Sequence, residues 1–560
     1  MGMITDVSIK NFRSFGVTEG SRPTKFSLSN LTIIVGDNSA GKSNILRALR
    51  FATDPSVAGM RRSDFFIRRA KDKVRKSGKI EIELSSTIKG KIYKIVCHGT
   101  GTDIKGYSKQ FSINGRDFPL VTAHNAATQE LLDELEPHRV FVAPTVRDVT
   151  YLNRAMDLVP LETRSTVAQS KKTLSEQLTK KLERICRQLG KTLGVASVSV
   201  TPALELEELF GIIRLDFAIE DGFPLPLGNI GQGHISKAIL KLAELQGEER
   251  TICVEEPEIH VHPTGIKSLL ETFRECTRAA GRQIIVTTHS PEVVNNTDFN
   301  CLLSVRKHTH RSIVRHIDPQ AVGLVHSDAR DIQETILRKR QRGELFLSKY
   351  VLLVEGEYDR LVLEALDRHS HIGFVENDVL IVDMGSKNEF AKYHKVLRAL
   401  DRPYAVLVDT AGVFVPSGST FRDGVVMDTL IRDKVIHPAD WNDKKLKKYA
   451  HAKPAAQRSI MKRLSDTLAT KGIVIISHGH KDISGAVNEC IENAPPKDLR
   501  KAHELLRCRN TRPSEKQILN TLKKKVAAKS MEMIRVVSVL PEKRMGRITR
   551  AITSALGKLR

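Results

Sequence analysis

The sequence predicts an α/β protein with two main domains. At 560 residues the chain is too long for a single hydrophobic core. A phosphate-loop motif lies between an apolar strand and a helix at residues 36–43. After a very polar stretch, an alternation of strands and helices begins again at Tyr350. We therefore expect a nucleotide-binding domain over 1–330 and a second α/β domain over 345–560.

The pattern along the first domain predicts strands, one long antiparallel sheet and a helical insertion. Strands are expected at 4–9 and 26–35, and a helix over 42–52 follows them. Alternating polar and apolar residues over 79–121 indicate a half-exposed antiparallel sheet. Polar residues with long side chains over 162–193 favour helices, and we interpret 155–200 as an insertion that forms a candidate dimerisation arm. Further elements are predicted at 211–219 (strand), 251–256 (strand), 264–280 (helix) and 283–288 (strand).

The second domain has the pattern of a parallel sheet covered by helices. Its predicted elements are a strand over 350–354, a helix over 358–368, and strands over 379–383, 404–408 and 472–476. Residues beyond the last strand are expected to form a helical extension.

Composition indicates a cytoplasmic protein with an anionic partner. Lys and Arg number 89 against 65 Asp and Glu, which gives a net charge of +24. Such an excess favours nucleic acid, because basic side chains release condensed counterions from phosphates. Nine basic residues fall within 61–79, and smaller clusters lie at 444–448 and 523–529. A generally basic, solvated surface is the alternative interpretation. Seven scattered cysteines and the lack of a long apolar run argue against disulfides, secretion and membrane insertion.

The phosphate-loop motif is Gly36-Asp-Asn-Ser-Ala-Gly41-Lys42-Ser43. Its backbone N–H groups would surround a β-phosphate at the positive end of the helix. Lys42 would reach the β- and γ-phosphate oxygens, and the Ser43 hydroxyl would bind Mg²⁺. The predicted cofactors of this domain are therefore ATP and Mg²⁺.

Two later strands end in residues suited to hydrolysis. The strand Thr251–Val254 leads into Glu255, Glu256 and Glu258. Paired acids at a buried strand end repel each other unless a cation is present. We assign Glu255 to Mg²⁺ and Glu256 to the attacking water. His260 and His262 resemble a zinc pair, but packing is the favoured interpretation for both.

The strand at 283–288 ends in His289, within the sequence TTHSP. Four segments together resemble ABC- and SMC-related ATPases of the OLD (overcoming lysogenization defect) family, and more distantly RecF. They are Asn11-Phe12-Arg13, GDNSAGKSN, EEPEIHVHP and TTHSP. This resemblance covers residues 1–320. It implies that His289 contacts the γ-phosphate and that Asn38 and Asn44 contribute to nucleotide binding.

The resemblance also implies a homodimer, in which a signature loop of one subunit closes the nucleotide site of the other. Residues 227–234, which include Gly231 and Gly233, are the best candidate for this loop. The Ser-Gly-Gly sequence that is usual in such signature loops is missing there. Glycines at these positions would allow the backbone to approach a phosphate.

A second acidic site is predicted at the strand ends of the second domain. Glu355 and Asp359 flank a turn with Gly356, and Asp383 and Asp409 follow two other strands. Parallel strands bring their carboxyl ends to one edge of a sheet, so these acids should converge. Convergent carboxylates bind Mg²⁺ or Mn²⁺ and support phosphodiester cleavage. A solvated acidic turn is the alternative.

Residues 350–485 resemble the Toprim domain of topoisomerases, primases and OLD nucleases. The resemblance makes Glu355 the catalytic glutamate, Asp359 the following acid, and Asp409 the first acid of a D-x-D pair. Its second acid is replaced by Ala411. Three outcomes are open. The site works with one tightly held metal ion, or Asp383, Asp423 or Asp428 supplies the missing ligand, or the site binds DNA without cleaving it. Lys525 and Lys529 are candidates for the family's charge-stabilising lysine. Zinc binding by His478 and His480 is less favoured.

Taken together, the domains are similar to those of the Gabija nuclease subunit and of retron-associated OLD effectors. The resemblance implies an ATP-regulated DNA endonuclease that takes part in anti-phage defence. Its expected partners are double-stranded DNA held by its phosphates, further copies of the chain, and a helper protein or retron nucleic acid. There are two alternatives. One is a RecF-like DNA-binding clamp whose Toprim domain is inactive, and the other is an effector that targets RNA.

Overall fold

The computed structural model divides into two compact units, Met1–Leu347 and Ser348–Arg560, and each is described by itself. The structure describes residues 3–16, 22–57, 60–70, 73–76, 79–102, 106–122, 125, 127–143, 187, 197–202, 213–218, 224–226, 251–259, 261–279, 282–308, 311–316, 326–370, 373–385, 389–407, 473–476, 487, 491–492, 496–505 and 514–527.

The first sheet of unit 1 is antiparallel, as the alternation over 79–121 predicts. Its described strands are β1 (Met3–Lys10), β2 (Thr24–Ser27), β6 (Lys79–Ile88), β7 (Lys91–Thr102), β8 (Gly106–Ile113), β9 (Arg116–Asp117) and β10 (Val121–Thr122). They are ordered β10-β8-β7-β6-β1-β2, and β9 pairs with β8. The single strand predicted over 26–35 is wrong. Ser29 N–H donates to Thr32 Oγ1 at 3.0 Å, and this turn separates β2 from β3.

The second sheet of unit 1 carries the phosphate loop. Its described strands are β3 (Leu31–Val35), β11 (Val140–Ala143), β15 (Thr251–Glu255), β16 (Ile284–Thr288), β17 (Leu302–His308) and β18 (Arg311–His316). Their order is β11-β15-β16-β3-β17-β18, and all neighbours are parallel except β17 and β18. Parallel strands present their carboxyl ends together, so the ends of β3, β15 and β16 lie at one edge.

Other described strands of unit 1 form smaller sheets. A basic hairpin pairs β4 (Ile67–Ala70) with β5 (Lys73–Lys76). A second small sheet has the order β12-β13-β14, with strands at Ser197–Pro202, Ile213–Ala218 and Pro224–Pro226. The end of the predicted helical insertion is therefore a strand from position 197 onward. Arg187, also within the insertion, is helical, and its other positions lie outside the described residues.

Helix α1 (Lys42–Thr53) packs between the two large sheets. Its buried residues include Ile45, Leu46 and Leu49, and they share one apolar core with strands of both sheets. The buried ammonium of Lys109 on β8 donates to the carbonyls of Phe51 and Asp54, at 3.0 and 2.7 Å. A cation placed there satisfies carbonyl groups that a helix end leaves unpaired.

A buried amide joins the same two sheets. Gln283 Nε2 donates to the carbonyls of Ile4 and Ser29, and its Oε1 accepts from Ile4 N–H and from Thr251 Oγ1. All of these contacts measure 2.7–3.1 Å. Because a buried amide is costly unless its hydrogen bonds are made, this residue specifies how the sheets meet.

The remaining helices among the described residues of unit 1 are α2 (Gln129–Leu135), α3 (Pro263–Ala279), α4 (Pro291–Asn295) and α5 (His326–Gln333). Three 3₁₀ segments lie at Arg62–Asp64, Glu136–His138 and Phe299–Cys301. A π-helical turn at Glu334–Lys339 continues α5, and a 3₁₀ turn at Gly343–Phe346 follows it.

The polar stretch after residue 330 packs on α4 within unit 1. Gly343 N–H donates to Asn295 Oδ1 at 2.8 Å. A Cβ added to Gly343 would lie 2.3 Å from the carbonyl oxygen of Pro291, so no larger residue fits without a shift.

Unit 2 contains the predicted parallel sheet. Its described strands are β19 (Tyr350–Val354), β20 (Val379–Asp383), β21 (Tyr404–Leu407) and β22 (Ile473–Ile476), in the order β20-β19-β21-β22. All of these pairs are parallel. The described helices are α6 (Glu357–Ser370), α7 (Phe390–Ala399), α8 (Pro496–Leu505) and α9 (Glu515–Ala527). Helices α8 and α9 lie in the predicted C-terminal extension.

Candidate functional site: two acidic sheet edges

The phosphate loop connects β3 to α1 and folds around the side chain of Lys42. Lys42 is buried, and its ammonium donates to the carbonyls of Gly36 and Asp37, at 2.7 and 3.0 Å. Gly41, the residue before α1, has a φ of 108°, which favours glycine. A Cβ there would also lie 2.3 Å from Ser312 Oγ on β18. The loop thus has the tight, glycine-dependent form that phosphate binding requires.

The other predicted loop residues differ in their surroundings. Asn38 is exposed, and Ser43 is half-buried in the first turn of α1. Asn44 Nδ2 donates to Ser14 Oγ at 2.9 Å. Ser14 and Ser312 are joined by a 2.7 Å hydrogen bond. Asn44 therefore ties α1 to the chain after β1, while Ser43 is placed where the sequence predicts a Mg²⁺ ligand.

The acids after β15 lie beside the end of β16. Glu255 pairs with Thr287 in the parallel ladder, and Glu256 N–H donates to the Thr287 carbonyl at 2.9 Å. Glu256 has a φ of 45°, an uncommon value for a residue with a side chain. Such strained conformations concentrate at functional sites, where the surrounding structure maintains them.

The predicted switch histidine and the predicted general base meet at this edge. Nδ1 of His289 lies 3.2 Å from Oε1 of Glu256. Their side chains are 42% and 26% exposed, so both are accessible to a ligand while remaining in contact.

Charges of opposite sign surround Lys42. Burial lowers the pKa of its ammonium, while Glu256, Asp37, Glu258 and Glu255 act in the opposite direction. The ammonium and the three glutamates at and after the end of β15 are thus close enough to interact. One lysine among several carboxylates fits a site that binds a phosphate chain together with a divalent cation.

Sequence reasoning gave no role to Glu258, although it is the most buried of these three acids. Its side chain accepts hydrogen bonds from Thr288 Oγ1 and His289 N–H, at 2.5 and 3.2 Å. Burial raises the pKa of its carboxyl, against the effect of these bonds. The signal available in the sequence was its position two residues after Glu256. Hydrophobic periodicity alone does not distinguish a structural acid from a catalytic one.

Several predicted residues of this domain lie outside the described residues. They include the signature-loop glycines Gly231 and Gly233, and also His260. His262 is exposed. In the described part of the chain no group of three His, Cys, Asp or Glu side chains is arranged to hold a metal ion.

The second candidate site begins at the end of β19. Val354 pairs with Asp383 in the ladder between β19 and β20, so Glu355 follows directly at the same sheet edge. Asp359, in the first turn of α6, accepts a hydrogen bond from Gly356 N–H at 3.1 Å. Glu355 and Asp383 thus approach one edge as predicted.

Arg360 provides a cation that sequence reasoning missed. Its Nε lies 3.3 Å from Oδ2 of the buried Asp383, and its Nη1 lies 3.0 Å from Oε1 of Glu364. Asp383 therefore already has a positive partner, which argues against its predicted role as a metal ligand. Since no three-ligand group occurs among the described residues, the predicted acidic set depends on Asp409.

The turn after Glu355 does not require a glycine at position 356. The Gly356 backbone does not adopt the left-handed conformation, and an added Cβ would approach only Asp359 Oδ2, at 4.0 Å. An alanine would fit at this turn.

The remaining predicted residues of unit 2 lie largely outside the described residues. These are Asp409, Ala411, Asp423, Asp428, His478, His480 and Lys529. The backbone of Lys525 is helical and belongs to α9.

Two families match the two units. The family described as "AAA domain, putative AbiEii toxin, Type IV TA system" matches residues 31–295. The family described as "Overcoming lysogenization defect protein-like, TOPRIM domain" matches residues 346–410. The resemblance to the OLD family is confirmed. The chain has an N-terminal ATPase domain and a C-terminal OLD-like Toprim domain, so the predicted fold class is confirmed as well.

Two of the curated relatives carry the OLD name, and a third is named as an endonuclease. The chain is 24% identical over 457 residues to the OLD nuclease of Thermus scotoductus, across 73% of this chain and 82% of the relative. It is 23% identical to the Old nuclease of Escherichia phage P2, across 72% and 77%. It is also 23% identical to Endonuclease GajA of Bacillus cereus, across 64% and 67%.

Among solved structures, the SMC head domain from Thermotoga maritima is similar at 16% identity. The match covers 56% of this chain and 99% of that domain, with a TM-score of 0.34. Within the described residues, no helix is long and apolar enough to cross a membrane.

Proposed function

We propose that the protein is an ATP-regulated, divalent-metal-dependent DNA endonuclease of the OLD type that acts in anti-phage defence in the cytoplasm. The observation that carries the proposal is the placement of Glu355. This glutamate directly follows the inner strand β19 at the edge of the Toprim sheet, and the resemblance to the family expects its catalytic glutamate there. Three of the curated relatives are named as nucleases.

In the ATPase unit, each side chain at the sheet edge has one proposed task. Lys42 leaves its loop carbonyls and binds the β- and γ-phosphates, while Ser43 and Glu255 hold Mg²⁺. Glu256 orients and deprotonates water, and His289 contacts the γ-phosphate. The 3.2 Å contact between Glu256 and His289 supports this division, because the base and the phosphate contact must lie together.

In the Toprim unit, Glu355, Asp359 and Asp409 are the proposed ligands for Mg²⁺ or Mn²⁺. A divalent ion in this position would activate water and stabilise the leaving oxygen. Asp383 is left out of this set because Arg360 already neutralises it. Lys525 or Lys529 is proposed to stabilise negative charge in the transition state.

The proposed DNA contacts are sequence-independent and involve basic surface. Arg61 and Arg62 are exposed, just before the hairpin of β4 and β5. In that hairpin Arg68 pairs directly with Arg75. Basic residues of this hairpin are proposed to contact DNA phosphates without reading the base sequence. We further propose a homodimer or larger homo-oligomer, with a helper protein or retron nucleic acid as an additional partner.

Plasmid nicking tests the nuclease. Purified protein is incubated with supercoiled plasmid and Mg²⁺ or Mn²⁺, with and without ATP. Glu355→Ala should abolish nicking, whereas Glu357→Ala should retain it, because the Glu357 side chain is 70% exposed on the same turn. A labelled structured RNA in parallel reactions tests the RNA-targeting alternative. Nicking that needs no metal, or that Glu355→Ala retains, contradicts the proposal.

ATP hydrolysis is tested separately with Lys42→Ala. Removal of the ammonium should abolish turnover, because Lys42 is the lysine of the phosphate-loop motif and its ammonium lies within that loop. Retained hydrolysis would overturn the assignment of the nucleotide site.

A DNA-binding ATPase clamp without cleavage is the second candidate. Two observations favour it: Ala411 replaces an expected ligand, and Arg360 neutralises Asp383. This candidate predicts ATP-dependent plasmid binding with no nicking in either metal. The nuclease proposal predicts both binding and nicking, so the same reactions separate them.

A further inference from the structure

Glu258 is a buried acid that the proposed catalytic set does not use. It lies in the turn after β15 and is 8% exposed. One carboxyl oxygen, Oε1, accepts both of its hydrogen bonds from side-chain and backbone donors, namely Thr288 Oγ1 at 2.5 Å and His289 N–H at 3.2 Å. The other oxygen, Oε2, is buried and accepts no hydrogen bond within the described part of the chain.

This arrangement is unfavourable for a purely structural residue. A buried carboxyl costs free energy unless hydrogen bonds compensate for its lost hydration. Here the compensation is incomplete because Oε2 accepts no hydrogen bond among the described residues, and burial raises the pKa of Glu258. Acids in this condition beside a ligand site are typical of functional positions.

The contacts of Glu258 fall on the loop that carries His289. Strand β16 ends at Thr288, and α4 begins at Pro291. Ser290 N–H donates to Thr288 Oγ1 at 3.0 Å, and Ser290 Oγ accepts from Val293 N–H as the N-cap of α4. The N–H of His289 donates to Glu258. Glu258 therefore holds one end of this loop, and the cap of α4 holds the other.

Two glutamates thus act on opposite parts of the same histidine. Glu256 lies next to the imidazole of His289, and Glu258 binds its backbone. We propose that Glu258 is a positioning residue for ATP hydrolysis, which fixes the Thr288–His289 backbone so that the imidazole remains beside Glu256. This inference rests on the proposed ATPase activity and adds a residue to that site.

Steady-state ATP hydrolysis by the full chain tests the role of Glu258. Glu258→Ala should lower kcat by about tenfold or more and change KM by less than about threefold, because the hydrogen bonds that hold Lys42 in the phosphate loop do not involve Glu258. Glu258→Gln keeps a carbonyl acceptor for both donors and should restore most of kcat. Glu271→Ala, which removes an exposed glutamate of α3, is the matched control and should behave as wild type.

The decisive measurement is a double-mutant cycle with His289→Ala. If Glu258 acts through His289, Glu258→Ala should cause little further loss in the His289→Ala background. An equal loss in both backgrounds overturns the inference, and so does a Gln variant as impaired as the Ala variant.

Thr288→Val provides an independent variant if Glu258→Ala does not fold. It removes the hydroxyl donor but keeps the side-chain shape, and a lower kcat with an unchanged KM supports the inference. Wild-type kcat in Thr288→Val, or in a Glu258→Ala variant that folds, overturns it. Absence of ATP hydrolysis in the wild type overturns the proposed ATPase itself, and this inference with it.

Discussion

Nδ1 of His289 lies 3.2 Å from Oε1 of Glu256, across the ends of two adjacent parallel strands. The ladder between β15 and β16 pairs Glu255 with Thr287, so the residues that follow each strand emerge side by side. A base and a phosphate-contacting group can therefore act on the same water and phosphate.

Glu256→Gln should lower kcat for ATP hydrolysis by about 100-fold or more while ATP still binds. The amide keeps the size of the side chain but cannot accept a proton from water. Turnover and the affinity for an ATP analogue are measured together, with Glu271→Gln as the control. A Glu256→Gln variant with wild-type turnover would show that another group is the base.

Asp383→Asn should leave metal-dependent nicking within about threefold of wild type, since Arg360 rather than a metal neutralises this carboxylate. Arg360→Met should lower the free energy of unfolding by roughly 1–3 kcal/mol, because it leaves a buried carboxylate without that partner. Plasmid nicking and urea denaturation measure the two effects. Loss of nicking in Asp383→Asn would return Asp383 to the set of metal ligands.

Gly343→Ala and Gly356→Ala should differ in stability. The first places a methyl group 2.3 Å from the carbonyl oxygen of Pro291, whereas the second meets only Asp359 Oδ2 at 4.0 Å. We expect Gly343→Ala to cost about 1–3 kcal/mol and Gly356→Ala to cost less than about 1 kcal/mol. Thermal unfolding of both variants gives the comparison, and equal melting temperatures would contradict it.

Acid should destabilise the ATPase unit through His138. Burial lowers the pKa of this imidazole from its ordinary 6.5 to about 4. Between these values the unfolded chain binds a proton that the folded chain does not, so the free energy of unfolding falls as pH drops from 6.5 towards 4. The full effect is roughly 3 kcal/mol.

His138→Gln should therefore weaken the pH dependence of unfolding across that window, and His308→Gln, at an exposed position, should not. Some dependence should remain, because burial also lowers the pKa of His394 in the Toprim unit to about 4. Denaturation curves at several pH values test this, and an unchanged slope in His138→Gln would refute the role of His138.

Local signals in the sequence predicted most of the fold. Helix α1 and strands β15, β16, β19 and β20 occur within two residues of their predicted bounds, because each combines a strong apolar pattern with a clear turn or cap. The division of residues 26–35 into two strands was missed. Its cause is a hydrogen bond between Ser29 and Thr32, which hydrophobic periodicity does not report.

The sequence by itself determined which chemical groups this protein has: a phosphate loop ending in Lys42, acids after β15, and Glu355 at the end of an apolar strand. These groups can be recognised from residue type and from short spacing along the chain, and both are present in the amino-acid sequence. Only the tertiary structure decided which groups meet. It brought His289 into contact with Glu256, formed a hydrogen bond between Glu258 and the His289 backbone, and formed an ion pair between Asp383 and Arg360. The reason is physical: the partners of a buried charge are set by strand order and register, and these depend on contacts between distant parts of the chain.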